Sequence, residues 1–175
     1  METQPSTARI ALKWGLISAV ISIVYTVVLM LTGNYQNPDF QWINFFIGLI
    51  ITVATLVLAI KEFRTQNEGY LSFGQGLGVG TLTSAISGLI SGGFILIYLR
   101  FIDDSSLKVA QDRAREQWEA QGMSDAQMEQ AEQFLTMFTS PGLLFAFSVV
   151  GAVILGFILS LVLSAILKKD RPVFS

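Results

Sequence analysis

Apolar positions dominate four stretches of this chain, at about residues 10–31, 42–60, 73–101 and 143–167, and polar positions gather between them. About 20 helical residues cross a hydrocarbon core, so each stretch predicts a membrane-spanning helix. Arg9 and Lys13 open the first stretch as they would a signal peptide. Its apolar run is too long for one and no small-x-small cleavage site follows, so a retained signal anchor is expected. Trp14, Tyr35, Trp42, Tyr70 and Tyr98 fall near the span ends, where amphipathic rings settle at headgroup level. Ser72 with Gln75 forms a capping-box pattern that opens the third helix. Running to Phe101, that helix would be roughly 43 Å long and must tilt or project beyond the bilayer.

The polar stretch 103–141 has its own helical pattern. Leu107, Ala110, Ala114 and Trp118 recur on one face, with Lys108/Asp112 and Arg115/Glu119 as i,i+4 pairs. Gly122 ends this helix, and Ser124 with Gln127 caps a second whose apolar face is Met128, Ala131, Leu135 and Phe138. Asp103 and Asp104 read as N-caps of the first. The prediction is a helical hairpin outside the membrane, carrying eight acidic residues against Lys108, Arg113 and Arg115 and so a charge of −5.

Small residues recur every fourth position within two of the spans. The third carries Gly76, Gly80, Ser84, Gly88 and Gly92, and the fourth carries Ser148, Ala152, Gly156, Ser160 and Ser164. Helices in lipid associate by close backbone approach, so both ladders are expected to be helix-packing faces, within a bundle or between copies.

Composition narrows the chemistry. Only 14% of the 175 residues are charged and 52% are hydrophobic, whereas a soluble domain has roughly a quarter charged. There is no cysteine and no histidine, which removes thiolate and imidazole ligands, cysteine nucleophiles, the Ser-His-Asp triad and histidine proton relays. No ionisable residue lies near mid-span, which argues against a proton-coupled pump or a voltage sensor. What remains in the spans is neutral: Ser18, Ser22 and Thr26 on the first, Asn44, Thr52 and Thr55 on the second, and Thr81, Thr83, Ser87 and Ser91 on the third. Such groups mostly bond back to their own helix or tie helices together, although they can also line a path for a neutral solute. A cation site built from Asp103, Asp104 and Glu116 or Glu119 is weaker than their reading as caps. No catalytic, cofactor-binding or metal-ligating residue is assigned.

Lys and Arg divide seven to four between alternate flanks, with Arg9, Lys13, Lys61, Arg64, Lys168, Lys169 and Arg171 on one side and Arg100, Lys108, Arg113 and Arg115 on the other. That bias places both termini in the cytoplasm and the hairpin outside it. The net charge of −2 gives no pull towards nucleic acid, and none is expected as a partner. The expected partners are the bilayer and either a second copy or another membrane protein.

Three segments carry a family resemblance: Gly69-Tyr70-Leu71-Ser72-Phe73-Gly74-Gln75-Gly76, Tyr98-Leu99-Arg100-Phe101-Ile102-Asp103 and Ser140-Pro141-Gly142. Together they resemble the bacterial domain of unknown function 4199 family, small membrane proteins predicted to have four spans. The resemblance implies a bacterial inner membrane protein and, since that family has no established activity, transfers no functional residue.

The sequence therefore predicts an all-α, polytopic membrane protein with four transmembrane helices and an extracytoplasmic hairpin at 103–141. The expected role is a non-enzymatic structural or interaction module, with Trp118, Glu116 and Glu119 as the candidate partner surface. The alternative is an oligomeric channel or transporter component for a neutral or weakly polar solute. The two differ in one observable: the first expects a dry core, the second a polar cavity reaching mid-bilayer.

Overall fold

The computed structural model describes residues 5–35 and 37–172, and all regular structure among them is helical. Six α-helices follow in order: α1 Thr7–Leu31, α2 Gln41–Gln66, α3 Phe73–Phe101, α4 Ser105–Ala120, α5 Asp125–Phe138 and α6 Pro141–Leu167. A short 3-10 turn, Pro38–Phe40, leads into α2. Four of the helices, α1, α2, α3 and α6, are long and apolar enough to cross a membrane. α2 runs beyond the expected end at Ile60 to Gln66, because Lys61, Glu62 and Arg64 end the apolar run without ending the helix.

The chain forms two compact units, one of residues 1–91 with 149–175 and the other of residues 92–148. In the first, a core of Ile10, Ala59, Ile60, Phe63, Leu71 and Val79 closes the end nearest the basic flanks, with Trp14, Leu163 and Leu167 packed against it. α1 meets α3 at Gly15, where an added Cβ would lie 2.8 Å from Ile86 Cβ and 3.1 Å from the Thr83 carbonyl oxygen. Outward faces stay apolar: Val20, Val24, Ile50, Ile158 and Ile166 are all more than half exposed, as lipid-facing side chains would be.

In the second unit α4 packs against α5. Gly122 takes φ 74° in the turn between them, the left-handed conformation that glycine tolerates best. Ser124 opens α5, and Gln127 Oε1 accepts from its backbone N–H at 2.9 Å and from its hydroxyl at 3.1 Å. Two details differ from the expected pattern. Lys108 pairs with Asp104 at 2.9 Å rather than with Asp112, since an acid N-terminal to its base is the better i,i+4 order. Gln111, not Ala110, is half-buried beside Leu107, Ala114 and Trp118 on α4.

Candidate functional site

The small residues of α3 and α6 lie opposite one another, stepping four residues up one helix as they step four down the other. In the first unit, a Cβ on Gly76 would sit 2.6 Å from Ser164 Oγ, and one on Gly80 would sit 2.8 Å from Ser160 Cβ. A Cβ on Gly156 would overlap the Ser84 side chain, and one on Gly88 would lie 2.6 Å from Ala152 Cβ. Carbon atoms prefer about 3.5–4.0 Å, so no side chain fits at these glycines without moving a neighbour. In the second unit Gly92 meets Ser148 Oγ and Phe145 in the same way. Ser160 and Ser164 are fully buried. Their hydroxyls, with that of Ser84, have no protein hydrogen-bond partner among the described residues.

Beside this seam, near the midpoints of the four long helices, is a cavity of about 110 Å³. Six hydroxyl-bearing residues line it: Ser18 from α1, Thr52 and Thr55 from α2, and Thr83, Ser84 and Ser87 from α3. Leu56 of α2 and Ala152 and Leu155 of α6 complete the wall. Thr52, Thr55 and Thr83 each donate to the carbonyl four residues back, on Gly48, Ile51 and Val79, at 2.9, 2.8 and 2.7 Å. Their protons are thereby committed to backbone, and what they can offer a guest is lone pairs.

A second cavity, about 390 Å³, lies between α1 and α2 towards the loop that joins them, and its polar lining includes Ser22, Tyr25, Thr26, Gln41 and Asn44. Tyr25 donates to Asn44 Oδ1 at 2.8 Å. Ser18 and Ser22 are one turn apart on α1, and Thr52 is bonded to Gly48, which lines the second cavity. A polar track therefore runs along α1 and α2 from their connecting loop to the middle of the bundle, and the apolar core around Ile60 and Phe63 lies beyond it.

At that far end, Glu62 is a junction absent from the sequence expectations. Its Oε2 accepts from Lys13 Nζ at 2.7 Å and Trp14 Nε1 at 2.6 Å, and its Oε1 accepts from Gln66 Nε2 at 3.0 Å. Arg64 bonds the Gly69 carbonyl at 3.0 Å and the Leu167 carbonyl at 3.4 Å, placing a cation on the C-terminus of α6. Antiparallel neighbours put Lys13 and Glu62 at one depth, a signal that charge counting by flank discards.

A family profile described as "Protein of unknown function (DUF4199)" matches residues 13–169. The chain belongs to the DUF4199 family. Neither the curated proteins nor the solved structures contain a significant match to it. The DUF4199 match begins at Lys13 and ends at Lys169, so it takes in the Glu62 junction, the seam and both cavities.

Three acidic residues of the hairpin in this DUF4199 chain have separate partners. Asp103 Oδ1 caps α4 by accepting from the Ser105 N–H at 2.8 Å, and that bond holds its carboxyl below the usual aspartate range. Asp104 takes the N-cap position of α4 but, against expectation, makes no side-chain cap bond and pairs with Lys108 instead, and Glu119 pairs with Arg115 at 3.4 Å. Glu116 and Glu119 are exposed and Trp118 is half-buried on α4. No group of three or more acidic residues among those described is placed to hold a metal ion. Of the polar span residues, Thr81 and Ser91 stand apart from both cavities, half-buried, with hydroxyl oxygens that are buried and without a hydrogen-bond partner among the described residues.

Proposed function

We propose that this DUF4199 protein is a non-enzymatic, multi-pass protein of a bacterial inner membrane, with both termini cytoplasmic, that admits a small neutral solute into its bundle as part of a channel or transporter. The observation that carries this reading is the convergence of six hydroxyl-bearing residues from three helices on one mid-depth cavity. Hydroxyls committed to packing would be spread over the helix contacts, whereas these share a space with room for a few waters or a solute of a few heavy atoms. Among the described residues no charged side chain lines either cavity, which favours a neutral guest. With three threonine protons held by backbone, the guest best suited to the site brings N–H or O–H donors, as a small amide or polyol does.

The absence of cysteine gives a clean background for an accessibility test. Single cysteines replace Asn44, Ser22, Thr52 and Ser18 in turn, and a small membrane-impermeant thiol reagent is added to intact cells or oriented vesicles. Labelling is expected at all four, slowing with depth and arriving only from the side of the α1–α2 loop. Labelling of a Thr32→Cys loop control with none at Ser22 or Thr52 would mean a dry core and would sink the reading.

A second reading is favoured by α5, where Phe134, Met137 and Phe138 form an exposed stripe at helical spacing. On this reading the hairpin is an extracytoplasmic docking element, with Trp118, Glu116 and Glu119 bordering its contact. Mass measurement of the protein purified in mild detergent tests it. A partner or second copy that is lost in a Phe134→Ser/Phe138→Ser variant supports docking, and a single-chain mass in both proteins counts against it.

A further inference from the structure

We propose that the groove between the α2–α3 loop and the tail after α6 binds the phosphate of an anionic phospholipid headgroup. The groove is a cavity of about 280 Å³ whose lining includes Tyr70, Ser72, Gln75, Lys169, Asp170 and Arg171. The tail is fixed there by a two-bond backbone bridge, Leu71 N–H to the Lys169 carbonyl at 2.8 Å and Lys169 N–H to the Leu71 carbonyl at 2.9 Å. The Tyr70 ring then holds two cations, with Lys169 Nζ 5.7 Å and Arg171 Cζ 5.5 Å from its centroid.

The charges around the groove are unequal in their engagement. Arg171 is paired with Glu68 at 2.9 Å, and Asp170 with Lys168 at 3.8 Å. Lys169 has no carboxylate partner among the described residues, so its ammonium is the charge available to a guest. Two neutral donors accompany it. Gln75 spends Oε1 on the Ser72 N–H at 2.9 Å, leaving its amide N–H groups, and Ser72 Oγ accepts from the Gln75 N–H at 3.3 Å, leaving its own proton. An ammonium, an amide and a hydroxyl facing one groove suit an oxyanion. The site lies at the basic ends of the spans, beside a tyrosine, which is headgroup depth, and that position favours a lipid phosphate over a free one.

The site is independent of whether the central cavity is wet. The full-length protein is reconstituted in nanodiscs of phosphatidylcholine containing a minor share of spin-labelled phosphatidylglycerol, and the immobilised fraction is read. A basic residue near an anionic surface contributes about fivefold in binding, so Lys169→Gln is expected to lower the preference by about fivefold. Lys61→Gln removes the same charge on the same basic flank, outside the groove, and is expected to change it less than twofold. Gln75→Glu keeps the acceptor that caps α3 and adds a carboxylate to the groove, so the preference should vanish while the helix content stays. Equal losses from Lys61→Gln and Lys169→Gln would show a diffuse basic surface and overturn the site. Displacement of the lipid signal by millimolar inorganic phosphate would assign the groove to free phosphate and overturn the choice of lipid.

Discussion

Substituting Gly88 by alanine adds one methyl at the point of the seam where a neighbour has least freedom to yield. The new Cβ would lie 2.6 Å from Ala152 Cβ, and an alanine has no rotamer that moves this atom away. Reaching ordinary contact requires α3 and α6 to separate locally by about 1 Å. Overpacking of this kind costs about 1–3 kcal/mol, while alanine in place of glycine returns about 1 kcal/mol of helix propensity. Gly78 supplies the control, because it is on the same helix with nothing within 4 Å of an added Cβ. Gly78→Ala should be neutral or stabilising, and Gly88→Ala should fall about 1–3 kcal/mol below it. The double variant Gly88→Ala/Ala152→Gly moves the methyl across the contact and should recover most of that loss. Equilibrium unfolding in mixed micelles measures all four proteins on one scale. If Gly88→Ala proves as benign as Gly78→Ala, or if Ala152→Gly gives no rescue, the close approach does not govern the pairing of these helices.

Three further outcomes are expected. Glu62→Gln leaves Lys13 without its carboxylate and weakens the Trp14 bond, so α1 should detach more readily at its basic end, at a cost of about 1 kcal/mol, with a shift in Trp14 fluorescence in a chain whose other tryptophans are replaced. Thr52→Leu puts an apolar side chain where the two cavities approach, so reagent access to Ser18→Cys should fall while access to Asn44→Cys is kept. The Asp103 cap is pH-dependent in a fixed direction. Its carboxyl is held low by the Ser105 N–H, so its contribution to α4 is present above the ordinary aspartate pKa of about 3.9 and is lost as pH falls through the lower folded value. Amide shifts in the first turn of α4 should move at that lower pH, and Asp103→Asn should flatten the change.

Depth was legible in this sequence and rotation was not. A helix crosses where about 20 apolar residues run together, a property of composition alone, and the turn at Gly122 and the caps at Ser72 and Ser124 are equally local. Which way a helix faces is a different matter when nearly every side of it is apolar. Ser18, Thr52, Thr55, Thr83 and Ser87 stood out as polar residues within their spans, but nothing in hydropathy could show that they face one space. Ser84 is hidden for another reason, since it belongs to the four-residue repeat that marks the packing face. Hydropathy ends α2 at Ile60, because Lys61, Glu62 and Arg64 break the apolar run while the helix continues to Gln66. Glu62 and Arg64 are engaged outside the helix, with Lys13 and with the carbonyls of Gly69 and Leu167.

Ser84 and Ala152 also tie the seam to the cavity. Each faces a glycine across the helix pair, Gly156 and Gly88, and each forms part of the cavity wall. The close approach of α3 and α6 therefore sets the width of the cavity on that side. A change that spreads the seam should open the cavity rather than merely loosen the bundle, so packing and solute access are not independent properties of this chain. This gives the Gly88→Ala variant a second readout. Its labelling rate at Ser18→Cys should rise above that of the parent, whereas Gly78→Ala should leave the rate unchanged. A rise with both substitutions would indicate general loosening, and a fall with Gly88→Ala would mean that the displaced helix closes the space instead of widening it.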